Sequence, residues 1–191
     1  GEGVMGNMGV QVSVRLPIDR DVDSRWSPEQ RQVLTQLVGD GGDPRRRDIT
    51  LRHALGHCAG LPARGMYFER LSAAETREGK ALVATEDGER RIVAMACEEA
   101  LIDGPGRVVI YSDVGYILLG EWLARASGRR LDRLFAEEIA TPLGLTDTGY
   151  MRADGGSTAG RVPDAGRIAP TDRCPWRRRV LRGEVKMHAT R

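Results

Sequence analysis

In the stretch Asp48-Ile-Thr-Leu-Arg-His-Ala-Leu-Gly-His-Cys-Ala-Gly-Leu-Pro62 a polar residue precedes a short apolar face, and glycine and proline close it. Thr50 is a candidate helix cap, because a threonine hydroxyl accepts from the free N–H groups of a first turn. Leu51, Ala54 and Leu55 follow at helical spacing, and Gly60 with Pro62 ends the element. His53 and His57 lie four apart and are expected to share one helix face, as paired metal ligands do. No glutamate follows His53 and no third ligand is apparent, so His-Glu-x-x-His chemistry is excluded and no metal is expected. Cys58 is expected to be a small buried residue rather than a nucleophile. Adjacent helical residues point apart, which argues against a Cys58–His57 dyad.

Upstream, Ser27-Pro28-Glu29 reads as a helix start, since serine caps and proline suits the first helical position. Val33, Leu34, Leu37 and Val38 continue it, and the three glycines and proline of residues 39–44 end it. Residues 1–24 read as irregular. Downstream, Ser72-x-x-Glu75 has the spacing of a capping box and predicts a helix to about Val83. Asp87-Gly88 predicts a turn. Ile92, Val93, Ala96, Ala100 and Leu101 predict a further helix, broken by residues 103–106. Val108-Val109-Ile110-Tyr111 is either a buried strand or an extended approach to a site. Asp113 is expected to cap the strongest helix of the chain. Its stripe is Val114, Ile117, Leu118, Leu119, Trp122, Leu123 and Ala126, with Gly128 at the C-terminal cap. Leu131, Leu134, Phe135 and Ile139 predict another helix, stopped by Pro142. Beyond Gly149 the chain reads as loop. This pattern predicts the helical part of a mixed α/β enzyme, with the site on loops.

Composition narrows the function. Apolar residues make up 40% of the 191 and aromatics 5%, below the usual apolar share of about 45–50%; part of the core is expected to lie elsewhere. A net charge of +2 speaks against a general nucleic-acid binder. The lysines are Lys80 and Lys186, so lysine-dependent chemistry has two candidates. Cys58, Cys97 and Cys174 form neither a disulfide framework nor a Cys-x-x-Cys. No apolar run reaches the roughly 20 residues of a membrane span. Residues 1–12 lack the pattern of a signal peptide and do not start with methionine, as in a trimmed or internal piece. The compartment stays open.

Three segments carry a family resemblance. The 48–62 stretch resembles "I-T-[LI]-R-H-L-L-x-H-[TS]-S-G-L-P" of the β-lactamase and penicillin-binding-protein-like serine hydrolases. Val109-Ile-Tyr-Ser-Asp-Val-Gly-Tyr-Ile-Leu-Leu-Gly120 resembles their "Y-S-[ND]-x-G-[YF]-x-L-L-G". Ser127-Gly128 through Leu131, then Ile139, Pro142-Leu-Gly-Leu145 and Thr148, resembles "SG-x-x-[LF]…I…PLG[ML]-x-x-T". Weaker echoes are Val14–Glu29 before them and, after them, Ile168-Ala-Pro-Thr-Asp, Trp176-Arg and Gly183-Glu-Val185, which are similar to esterase-like members. The resemblance implies an α/β (α+β), β-lactamase/transpeptidase-like fold. Residues 1–191 would be a partial domain carrying mainly its helical part, strongest over 48–150 and divergent or truncated at both ends.

By the same resemblance Tyr111 is the catalytic proton shuttle, and Ser112, Asp113 and His57 line the cleft around it. Asp113 stands where many members carry asparagine. No cofactor is implied. The ligand implied is a small-molecule ester, a β-lactam or a peptidoglycan-like peptide, with the esterase-like echoes favouring esters. The family's reaction needs a serine with a lysine three residues on, because a free hydroxyl is a poor nucleophile and the two side chains must share a helix face. Here Arg77 and Gly183 stand three residues before the two lysines, so the pair is absent from this sequence. Ser157 lacks the Gly-x-Ser-x-Gly frame of a nucleophile elbow. Arg177-Arg-Arg179 reads as solvated surface. The chain alone is therefore expected to show no nucleophilic turnover; a non-catalytic binding module and an unstable gene fragment are the alternatives.

Overall fold

Ser27 accepts from the Gln30 N–H at 3.2 Å while the Gln30 side chain accepts from the Ser27 N–H at 3.0 Å, a capping box that starts helix α1 (Pro28–Val38). The computed structural model describes residues 26–39, 42–83, 85–150, 168–174 and 178–182. A 3₁₀ turn (Pro44–Asp48) and α2 (Leu51–Leu55) follow α1, then α3 (Tyr67–Glu78), α4 (Glu86–Glu98) and α5 (Asp113–Ser127). Helix α6 (Leu131–Phe135) runs on as a π-helical turn (Ala136–Ala140). Strands β1 (Pro170–Cys174) and β2 (Arg179–Arg182) pair antiparallel. Among the described residues the chain is therefore helix-rich with little strand. None of the described helices is long and apolar enough to cross a membrane.

Helix α5 is the centre of the core. Val114, Leu118 and Trp122 are buried on its apolar stripe, and Ile117, Leu119, Leu123 and Ala126 pack against them in part. The stripe is covered by Leu34, Leu37 and Val38 of α1, Leu51 of α2 and Ala96 of α4. Trp122 donates its indole N–H to the Gln30 carbonyl at 2.9 Å and meets Trp26 edge-on at 4.6 Å. This locks α1 to α5. A smaller cluster of Leu71, Ala74 and Leu82 lies under the α3–α4 turn.

Three local expectations fail here. Ser72 and Glu75 do not form a capping box; both lie inside α3, which starts five residues earlier at Tyr67. Burying Tyr67, Leu71 and Ala74 on one helical face outweighs the cap. Glu75 instead accepts from the Leu82 and Val83 N–H groups, at 2.6 and 2.8 Å. Asp87-Gly88 is not a turn but the first turn of α4, capped by Thr85. Glu86, Asp87 and Glu89 there suit the positive end of the helix. Gly88 marks a close approach: a Cβ would stand 2.0 Å from the Leu82 carbonyl oxygen. The same helix stops at Glu98, short of Ala100 and Leu101.

The α3–α4 turn should be acid-labile. The two backbone N–H groups hold the Glu75 carboxyl below the usual carboxylate range; Arg91 does the same for Glu78, and Lys80 for Asp87. Folded values below the unfolded ones mean that these bonds stabilise above the ordinary carboxylate range and are lost as pH falls through the lowered values. Amide exchange is the check: Leu82 and Val83 should lose protection before Leu118 on acidification. In Glu75→Gln, which cannot ionise, that loss should depend less on pH.

Candidate active site

Past α2 the chain turns sharply. Gly56 caps the helix, and His57 adopts φ 55°, a left-handed conformation uncommon for a side-chain-bearing residue. His57 has therefore left the helix that carries His53, and the two histidines do not share a face. The His53 ring folds back instead, accepting from the Thr50 N–H at 3.3 Å. Among the described residues no group of three metal-ligating side chains occurs.

The segment after this turn runs beside residues 102–113 and is stitched to them by backbone hydrogen bonds. Ile102 donates to Gly60 (2.8 Å), Gly106 to Cys58 (2.7 Å), Ile110 to His57 (2.8 Å) and Asp113 to Ala63 (2.7 Å). Residues 108–111 are the extended approach rather than a buried strand: they lie outside β1 and β2, with Val109 73% and Tyr111 77% exposed. Gly60 permits the seam, because at φ 77° its α-carbon passes so near Asp103 that a Cβ would stand 2.0 Å from the carbonyl oxygen.

Ser112, and not Asp113, caps α5. Its buried hydroxyl accepts from the Gly115 N–H at 3.0 Å and donates to the Pro62 carbonyl at 2.6 Å. Both roles hold the helix start against the 56–63 segment, and a nucleophile there would have to give them up. Asp113 is the exposed first residue of the helix. The Ser112 N–H donates to His57 Nδ1 at 3.0 Å. The His57 ring stacks on Tyr116 at 4.6 Å and 21°, and meets Tyr111 at 4.6 Å and 43°. Tyr116 donates its hydroxyl to the Leu55 carbonyl at 3.3 Å.

The structure thus brings Tyr111, Ser112, Asp113 and His57 to one place. Tyr116 joins them and was missed in sequence. Its signal was an aromatic residue off the apolar stripe of α5, inside the "G-[YF]" of the second motif. Cys58 is half-buried, and burial pushes its thiol pKa up, away from the thiolate a nucleophile needs. Lys80 is not at a serine hydroxyl; its ammonium pairs with Asp87 at 2.9 Å and Glu78 at 3.7 Å. Lys186, Ser157, Trp176, residues 183–185 and the 14–25 part of the upstream echo lie outside the described residues.

Residues 12–188 match the family model described as Beta-lactamase. A putative D-alanyl-D-alanine carboxypeptidase of Escherichia coli is 34% identical over 103 residues, which cover 54% of this chain and 22% of the relative. The D-alanyl-D-alanine-carboxypeptidase/endopeptidase AmpH of Escherichia coli is 46% identical over 46 residues, 24% of this chain and 12% of the relative. An uncharacterized protein of Mycobacterium tuberculosis is 31% identical over 140 residues, 71% of this chain and 33% of its own length. The chain spans about a fifth of the length of the first of these carboxypeptidases. No solved structure matches. Two motif-bearing segments far apart in sequence are joined in space, inside a match that runs almost end to end, and the chain belongs to the beta-lactamase family, the penicillin-binding-protein-like serine hydrolases.

Proposed function

We propose that residues 48–150 form the tyrosine-bearing part of an acyl-enzyme site for D-alanyl peptides and β-lactams, and that this chain alone binds such ligands without turning them over. In this reading residues 1–191 are a partial domain carrying the helical part of a β-lactamase/transpeptidase-like α/β fold. Tyr111 is the group that moves the proton. One observation carries this: Tyr111 is 77% exposed to solvent on a backbone held on both sides by His57. The Escherichia coli relatives, described as D-alanyl-D-alanine carboxypeptidases, support D-alanyl peptides over simple esters as ligand.

Inactivity follows from the lysines. A seryl hydroxyl attacks a carbonyl only when a base beside it takes its proton. Neither lysine here has a serine one turn before it, so turnover requires a serine–lysine pair from outside this sequence. The intact seam around His57 favours a retained binding surface over an unstable fragment.

The test is to incubate the purified chain with nitrocefin, p-nitrophenyl butyrate and a D-alanyl-D-alanine peptide. The expected result is no burst and no covalent mass increase. Penicillin at about 100 times its dissociation constant should still stabilise the fold by about 2.7 kcal/mol. A serine carrying an acyl label overturns inactivity. Absence of any stabilisation by penicillin or the peptide overturns binding.

A further inference from the structure

We propose that His57 is the positioning residue for Tyr111, acting through two hydrogen bonds that bracket it; this rests on the reading of Tyr111 as the proton-moving phenol. A group that passes a proton must be held to within about half an ångström of its productive place. Tyr111 sits on neither helix nor strand, so its own element does not fix it. The two backbone N–H groups that flank it both go to one neighbour. The N–H before it, on Ile110, donates to the His57 carbonyl at 2.8 Å, and the N–H after it, on Ser112, donates to the His57 ring at 3.0 Å.

One residue can offer both acceptors to the same extended segment only if its carbonyl and side chain face the same way. The left-handed backbone of His57, at φ 55°, gives that arrangement. Such a conformation costs roughly 1 kcal/mol outside glycine, and strain of this kind is kept where the surroundings use it. Tyr116 fixes the ring plane by stacking on one partner face, with its hydroxyl tied to Leu55. The ring then lies against Tyr111 itself. Because the Ser112 N–H is a donor, Nδ1 is the accepting nitrogen, and a neutral ring carries its proton on Nε2.

The readouts are spectroscopic and need no ligand. In the unmodified protein the ¹⁵N spectrum of His57 should show the Nε2–H tautomer; an Nδ1–H ring overturns the proposal without any variant. His57→Gly accepts the left-handed turn but offers no side-chain acceptor. It should speed exchange of the Ser112 amide by about tenfold and move the Tyr111 ring signals, assigned with Tyr111→Phe, to those of free tyrosine, with Leu118 unchanged. His57→Asn keeps an acceptor near the Nδ1 position and tolerates positive φ, so it should restore Ser112 protection to within about twofold. Equal Ser112 exchange and Tyr111 signals in wild type and His57→Gly overturn the proposal, as does His57→Asn behaving like His57→Gly. Failure to bind penicillin or a D-alanyl peptide would sink the function proposed above and leave these readouts untouched.

Discussion

Arg46→Met is expected to destabilise the chain by about 3–5 kcal/mol, a large part of the 5–15 kcal/mol that holds a typical domain folded. Arg46 is 1% exposed, the most buried charged side chain described. Its guanidinium donates to the Val38 carbonyl at 3.0 Å, to the Cys97 carbonyl at 2.6 Å and to the Glu99 carbonyl. Val38 ends α1, Cys97 lies in the last turn of α4 and Glu99 caps that helix. Helix C-termini leave carbonyls without partners and carry partial negative charge, so one planar cation satisfies two helix ends at once. Methionine would fill much of the space and leave those oxygens without this donor, at about 1–3 kcal/mol for a fully buried one such as Val38 and less for the part-buried Cys97 and Glu99 carbonyls. Lysine would not rescue, because a single ammonium does not reproduce the fork. Urea denaturation decides it: the midpoint should fall for both variants with the slope unchanged. A midpoint within error of wild type would mean that the three carbonyls find other partners.

Gly60→Ala should cost about 3 kcal/mol, the sum of a strained left-handed alanine and a forced shift of the chain. The added methyl would lie 2.0 Å from the Asp103 carbonyl oxygen, and that neighbour is backbone, which cannot rotate away. Gly79→Ala is the internal control. Gly79 has φ 66° with nothing within 4 Å of a Cβ, so it should lose only the backbone strain, about 1 kcal/mol. The excess for Gly60 measures the steric term alone. Because the Gly60 seam also carries the bond to Ile102, its displacement should disturb the run through Ile110 to Tyr111. Loss of Tyr111–His57 contacts in the NMR spectrum would follow in Gly60→Ala and not in Gly79→Ala. Equal midpoints for the two variants would overturn the steric argument.

Much of the helical frame was legible because its signals are local. Ser27, Thr50 and Gly128 act on backbone groups within four residues, and the α5 stripe is a periodicity that needs no partner to be seen. The failures share a cause. Ser72-x-x-Glu75 and Asp87-Gly88 are local patterns overruled by burial of Leu71 and by the close pass of Leu82. Asp113 and Ser112 are both good caps; Ser112 takes the role because its hydroxyl also reaches Pro62, fifty residues back in the chain. The site was legible only in part, for the same reason. Tyr111, Ser112, Asp113 and His57 could be named from motif positions, but the bonds that join them cross between two segments.

The sequence by itself determined the starts of α1 and α2, the end of α5, the family motifs along the chain and the absence of a Ser-x-x-Lys pair, because each depends on residues a few positions apart. Only the tertiary structure decided which of three consecutive arginines is structural. Arg45 pairs with Asp43 at the surface, while Arg46 is buried against carbonyls contributed by α1 and by the end of α4. It likewise decided that His57 leaves its helix to bracket Tyr111. Identical side chains in one short run differ only in what the folded chain brings to them, and long-range hydrogen bonding leaves no trace in local spacing.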